Sequence, residues 1–339
     1  MYCPEPCESA PLYPAFNFKY PAKASAGGLF KERVPPNFFE RDARLVPLAE
    51  ARAVVLPNNF LHATADAWQY ITRYADMAEG RGIPLFVFSC GDFTDKLAFD
   101  PRAYIFRTSL YGAAKGPRDI SIPTLTEDLG AGGIVLRPKH KLPTVSFCGQ
   151  AGYQSGKQRA KYYVKVFLYL AAAAFKPSLR ARTIGVYWRR KALAACRRST
   201  LVRSLFIIRN SFSGARRTIE LDPAQARKEF TDSIRNADFV LAPKGDGNYS
   251  NRFLEALSMG RIPVLIDTDM VLTLEDHIDY AKIMVRVPMN RVGDTAKYIR
   301  DFYDPLTDEE WQARQRLARE TFEKYLRQDS FFTYFFNTI

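Results

Sequence analysis

The sequence has little of what would make a disulfide scaffold, a zinc module or a membrane span. Its five cysteines, Cys3, Cys7, Cys90, Cys148 and Cys196, are odd in number and scattered, which fits reduced thiols rather than a disulfide framework. Only His62, His140 and His277 could complete a metal site with Cys3 and Cys7, and none is near them in sequence, so no metal is expected. The longest apolar stretch, residues 166–175, is about half of the roughly 20 residues that cross a bilayer. The opening residues lack a basic start followed by an apolar run, so they do not read as a secretory signal, and a soluble, cytoplasmic protein is expected. No Ser, Gln or Gly tract dilutes the chain, which excludes general disorder.

The most informative absence is of negative charge. Between Asp128 and Glu220 there is neither Asp nor Glu, while Lys and Arg recur, in a chain of net charge +13. Such a stretch suits an acidic visitor: a nucleoside diphosphate, an acidic glycan, an anionic membrane face or a nucleic acid.

What is present reads as an α/β protein. With 339 residues, 47% hydrophobic and 25% charged, the chain has ordinary globular usage and room for two domains. Residues 1–45, rich in Pro, Gly and aromatics, read as an irregular arm on a domain surface. An apolar run at 53–57 ends in Pro57. A helix is predicted over 65–80, with Trp68, Ile71, Tyr74 and Ala75 on one face, and strands at 83–90, 103–107 and 133–136. The polar stretch 137–143, bracketed by Pro138 and Pro143, reads as the linker closing a first domain, 46–143. The second domain, 144–307, restarts with a strand at 144–148, a helix at 157–175 and a strand at 205–209. It continues through a helix at 223–236, a strand at 238–242, a helix at 250–259 and a strand at 262–266, which is βαβ grammar. A charged helix at 308–328 leads into the tail Phe331, Phe332, Tyr334, Phe335 and Phe336. Residues 308–339 are therefore expected to pack back on the first domain.

The chemistry concentrates in residues 236–267. A strand ends at Ala242-Pro243, a loop with Lys244, Gly245 and Gly247 follows, and a helix starts at Ser250-Asn251-Arg252. Ligands of open α/β sheets sit beyond the carboxyl ends of strands, and helix starts favour anions. Arg252 in the first turn calls for an anion partner, which a guanidinium can bind bidentately. Glu255, three residues on, is placed to accept the hydroxyls of a ribose. A plain i, i+3 ion pair of Arg252 with Glu255, worth roughly 0.2–0.5 kcal/mol, remains open on charge pattern alone.

This segment resembles the signature of the exostosin family of glycosyltransferases, through Pro243, Lys244, Gly245, Ser250, Arg252, Glu255-Ala256, Gly260 and Ile262-Pro263-Val264-Leu265-Ile266. Thinner likeness runs upstream through Phe86-Val87-Phe88, Gly91-Asp92, Asp119-Ile120-Ser121-Ile122-Pro123 and Phe147-Cys148-Gly149. The resemblance implies a GT-B architecture, two Rossmann-like domains with a cleft between them. It also implies inverting, metal-independent transfer of a hexosyl or pentosyl group from a nucleotide sugar, most often UDP-linked. The expected donor-side residues are Gly149, Lys244, Gly245, Ser250, Asn251, Arg252 and Glu255, with Arg209 a further candidate phosphate partner whose plain reading is a surface or structural arginine. The catalytic base is expected from Asp92 first and Asp119 second, each with a plain reading as a turn or loop-capping residue. No cofactor beyond the nucleotide sugar is implied; the acceptor is a glycan or lipid-linked glycan, as in surface polysaccharide synthesis.

Ala242 and Arg261 stand where many relatives carry cysteines, which puts a disulfide of those relatives in doubt here. The basic, aromatic stretch 157–175 suggests peripheral docking on an anionic inner membrane face. Two alternatives stay open: a basic nucleic-acid-binding protein, which no recognised motif supports, and a non-catalytic exostosin-like relative.

Overall fold

The computed structural model describes residues 1–17, 19–20, 45–61, 64–92, 99–211 and 222–338. The expected arm falls largely outside them, including Pro35-Pro36-Asn37-Phe38-Phe39, as does His62. The chain divides into two compact units. The first comprises residues 1–126, 271–274 and 324–339; the second comprises 127–270 and 275–323.

In the first unit, β1 (Val54–Asn59), β2 (Leu85–Phe88), β3 (Tyr104–Arg107) and β4 (Asp119–Ser121) form a parallel sheet in chain order. Period-2 alternation sends Val54, Leu56, Leu85 and Val87 to one face, against Ile71, Tyr74, Ala75 and Ala78 of helix α1 (Ala65–Glu79). The side chain of Thr64 caps this helix by accepting from the Ala67 amide. Trp68 departs from the expected face and is 38% exposed, because the buried row runs through Ala67 instead. Pro57 does not end β1. Its missing N–H falls where the register with β2 shifts, and its carbonyl accepts from the Tyr13 amide at 2.8 Å.

The opposite face carries Val55, Phe86, Phe88 and Phe106. Residues 1–17 are not a surface arm here: Tyr13 stacks on Phe88 at 4.1 Å, and Phe16, fully buried, meets the same ring edge-on at 5.9 Å. Aromatic side chains without helical or strand periodicity still found a core to fill. The C-terminal helix Gln328–Thr338 completes this face, with Phe332 5.3 Å from Phe106.

The second unit contains β5 (Thr144–Gln150), α2 (Gly156–Phe175), α3 (Gly185–Arg198), β6 (Arg203–Arg209) and α4 (Pro223–Arg235). These are followed by β7 (Phe239–Leu241), α5 (Asn251–Ser258), β8 (Ile262–Asp267), β9 (Val285–Pro288), α6 (Thr295–Tyr303) and α7 (Asp308–Thr321). Its five parallel strands run in the order β6-β5-β7-β8-β9. The chain enters at β5, steps outward to β6, then returns past β5 to β7 and beyond. That is doubly wound topology with a switch point between β5 and β7.

The division falls after residue 126, not at 137–143. Residues 133–136 form no strand. The segment is instead held in the second unit by side chains distant in sequence. Arg137 Nε donates to Asp238 Oδ1 at 2.7 Å, and Gln315 of α7 bonds both the amide and the carbonyl of Arg137 at 2.8 Å. Arg261, 1% exposed, donates to the carbonyls of Val135 (2.9 Å) and Arg235 (3.0 Å) and to Gln315 Oε1 (3.1 Å). Arg261 is therefore a buried cation that satisfies carbonyls. The predicted helix over 308–328 stops at Thr321, passes through a π turn at Phe322–Leu326 and resumes at Gln328. Its first part belongs to the second unit, where Trp311 stacks on Phe239 at 5.4 Å.

Both units are thus parallel α/β sheets of Rossmann-like kind, the pair of folds expected of a GT-B enzyme.

Candidate donor site

The switch point of the second sheet is where a crevice for a ligand opens, and the ends of β5 and β7 determine what lines it. Beyond β7 the chain runs through Lys244, Gly245 and Asn248 to the start of α5. Asn248 is 1% exposed and fastens this loop to the end of β8: its Nδ2 donates to the carbonyls of Thr268 and Asp269 at 3.2 Å, and its Oδ1 accepts from Thr268 Oγ1 at 2.7 Å. Gly245 N–H donates to the Tyr249 carbonyl at 2.8 Å and closes the loop on itself.

On its other side the loop lies on the start of α3. A Cβ on Gly185 would fall 2.2 Å from the Gly245 carbonyl oxygen, so only glycine permits this approach. Lys244 Nζ donates to the Ala181 carbonyl at 2.8 Å, tying the loop to the turn before α3. Lys244 is 1% exposed, and its burial, reinforced by the nearby Arg182 charge, lowers its ammonium pKa to about 7. The structure therefore places Lys244 beneath the loop, as a staple.

This packing brings two arginines to the end of β5. Arg252, half-buried, lies over the Phe147 ring at 4.3 Å and donates through Nη2 to the Cys148 carbonyl at 2.8 Å. Arg189 of α3 donates to the Gln150 carbonyl at 3.2 Å and to the Lys244 carbonyl at 3.4 Å. Between them stands Gly149, at φ +152°, where a Cβ would meet Arg252 Nη2 at 2.8 Å. Burial, then the neighbouring Arg189 charge, lowers the Arg252 guanidinium to about 10; burial also lowers Arg189. Among the described residues neither guanidinium forms an ion pair with a carboxylate, and the Nε of each lacks a hydrogen-bond partner. Two neighbouring cations so held are an incomplete arrangement that an anion completes.

The helix start adds to it. Ser250 occupies the cap position of α5, but its side chain makes no cap hydrogen bond, and Asn251 Oδ1 is buried without a partner. Glu255 is 4% exposed on the buried side of the helix, with Arg227 Nη1 3.8 Å from its Oε1. The expected Arg252–Glu255 ion pair does not form among the described residues; Arg227 is the cation beside Glu255.

Of the predicted donor-side residues, Gly149, Lys244, Gly245, Ser250, Asn251, Arg252 and Glu255 belong to this one neighbourhood. Arg209 is committed to architecture: its Nη2 donates to the Ala226 carbonyl at 3.2 Å and to Glu229 Oε2 at 3.1 Å, binding α4 to the end of β6. Arg189 and Asn248 were not foreseen. The row Gly185, Trp188, Ala192, Cys196 carries the signal for α3, but the sequence there reads first as a basic run. In the first unit, Asp92 is exposed shortly after β2, whereas Asp119 is buried at the start of β4 and its Oδ2 accepts from the Gly116 amide at 2.6 Å. Asp119 is thus a loop-capping residue, its plainer reading.

Among the described residues no group of three or more His, Cys, Asp or Glu is arranged to hold a metal ion, and no helix is long and apolar enough to cross a membrane.

Several solved structures are similar at low identity. A glycosyltransferase from Rickettsia africae is 10% identical over 93% of this chain and 82% of its own, with a TM-score of 0.39. The lipopolysaccharide outer core galactosyltransferase WaaB is 13% identical over 85% of this chain and 76% of its own, with a TM-score of 0.38. An alpha-glucosyltransferase in complex with UDP-glucose and DNA is 11% identical over 99% and 97%, with a TM-score of 0.36. Likeness at this level is loose, and the fold assignment rests on the strand orders above. The family match is specific: residues 173–302 fit the Exostosin GT47 domain, a span that includes Arg189, the β7–α5 loop, Arg252 and Glu255. Over residues 173–302 this chain is thus similar to the exostosin glycosyltransferases.

Proposed function

We propose that the chain transfers a sugar from a UDP-linked donor to a hydroxyl of a glycan, with inversion and without a metal. The observation that carries this reading is the pair of guanidiniums, Arg252 and Arg189, that have no carboxylate partner among the described residues, at the switch point of a doubly wound sheet and beside a helix start whose serine makes no cap hydrogen bond. A diphosphate would accept from both arginines, from Ser250 and from the first-turn amides of α5, and these donors would take up the charge that develops as the nucleotide leaves. Glu255 would accept from the ribose hydroxyls. In an inverting displacement the acceptor oxygen bonds to the anomeric carbon as its bond to the diphosphate oxygen breaks, and a base takes the acceptor proton. Asp92, exposed at the end of β2, is our candidate for that base.

The test is thermal stabilisation and donor hydrolysis with a panel of UDP-, GDP- and other nucleotide sugars. The expected result is stabilisation by UDP and a UDP-sugar, lost in Arg252→Ala and Glu255→Ala variants that melt as cooperatively as wild type. Donor affinity unchanged in both variants would refute the site. Salt-dependent oligonucleotide binding without any response to nucleotide sugars would favour a nucleic-acid-binding protein instead.

A further inference from the structure

Helix α2 is unusual among the helices of the second unit. Of its 20 residues only Tyr162 and Val166 are buried. The outward side is not polar: Tyr163 is 49% exposed, Val164 59%, Phe167 69%, Leu168 58% and Phe175 94%. Helical spacing gathers these residues into adjoining rows, 160, 163, 167 and 174 beside 164, 168, 171 and 175, and all of the smaller members are alanine. The result is an apolar strip along a helix about 30 Å long.

Its flanks are basic. Exposed Lys157, Lys161 and Lys165, four residues apart, run along one side, and Arg159 stands on the other. Exposed Lys176 follows Phe175 at the C-terminal end. The helix contains no acidic residue, nor does any position between Asp128 and Glu220. An apolar strip bordered by long cationic side chains is the pattern of a helix lying in a lipid interface, its rings among acyl chains and its ammonium groups at the headgroups.

We infer that α2 is a docking face for an anionic membrane surface. Charge selects this occupant. A second copy of the chain would bring one basic row against another, whereas acidic headgroups complement both flanks at once. The inference does not depend on the donor assignment, because none of these side chains belongs to the Arg189–Arg252 neighbourhood.

Vesicle flotation of the full chain, with phosphatidylcholine alone and with added phosphatidylglycerol, tests it. Wild type is expected to float with the anionic vesicles, less so as salt rises. The triple variant F167S/L168Q/F175S should lower partitioning roughly a hundredfold, and K161E/K165E about tenfold. Both should retain wild-type melting, since every altered side chain is exposed. No flotation by wild type, or flotation unchanged in both variants, overturns the proposal. Self-association in sedimentation velocity that the triple variant abolishes, without vesicle binding by wild type, would overturn it in favour of a second copy.

Discussion

Helices α2 and α5 begin alike in sequence and differently in structure. Each follows a serine, and each has at least one basic side chain in its first turn. At α2 the Ser155 hydroxyl accepts from the Gln158 amide at 3.2 Å, and Gln158 Oε1 in turn accepts from the Gln154 amide at 2.6 Å, so the start is satisfied locally. At α5 the Ser250 side chain makes no cap bond, Asn251 Oδ1 and Arg252 Nε have no partners, and the helix behind them is buried. A serine before a helix marks a terminus, and only an uncompleted terminus marks a place for a ligand.

The comparison can be broken most sharply at the arginines. Arg252→Ala should weaken UDP binding roughly a hundredfold by calorimetry, the loss expected for charge-assisted hydrogen bonds to phosphate. Arg159→Ala, in the first turn of α2, should leave it unchanged. Equal effects of the two would remove the distinction.

The lysine beneath the loop before α5 adds a pH dependence. With its pKa lowered from 10.5 to about 7, Lys244 holds its proton less tightly folded than unfolded. Stability should therefore rise with pH between 7 and 10.5, by up to about 1.4 kcal/mol per pH unit, with the full cost of burying the charge present below pH 7. Denaturant titrations across that window should show the rise in wild type and a flatter profile in Lys244→Met.

Gly149→Ala comes next. The added methyl meets the Arg252 guanidinium, so donor affinity should fall about tenfold and stability by about 1–2 kcal/mol. Wild-type affinity in this variant would show that the position of the guanidinium is immaterial.

The smallest effect sharpens the pair of serines. Ser155→Ala should cost about 1 kcal/mol in unfolding free energy and nothing in donor binding. Ser250→Ala should do the reverse, leaving the melt almost unchanged while weakening UDP a few-fold.

How much of this was legible in the sequence follows from the range of the forces involved. Strands β2 and β3 and helices α1, α2, α4 and α5 are written in local alternation and helical spacing, and the predicted bounds fall within a few residues of those observed. Gly260, just past the end of α5, takes the left-handed φ of +64° that glycine permits. What distant partners decide was not legible. Residues 127–143 join the second unit through Arg137 with Asp238 and Arg261 with Val135, and no local pattern announces either pair. Tyr13 and Phe16 enter the first core from an aperiodic stretch, and helix α3 hides its buried row among cations. At the site, the motif residues were readable one by one. The burial of Lys244 and the contribution of Arg189 required the packing of α3 on the β7–α5 loop.

The division of the chain also sets an order of assembly. Residues 1–126 are synthesised before the second unit, yet the face of their sheet that carries Phe86, Phe88 and Phe106 is covered in part by Phe331 and Phe332, which follow it. During synthesis that aromatic surface waits, exposed, through the whole of the second unit. The first sheet closes only after the second unit has been made, and removing the helix Gln328–Thr338 would leave that sheet face bare.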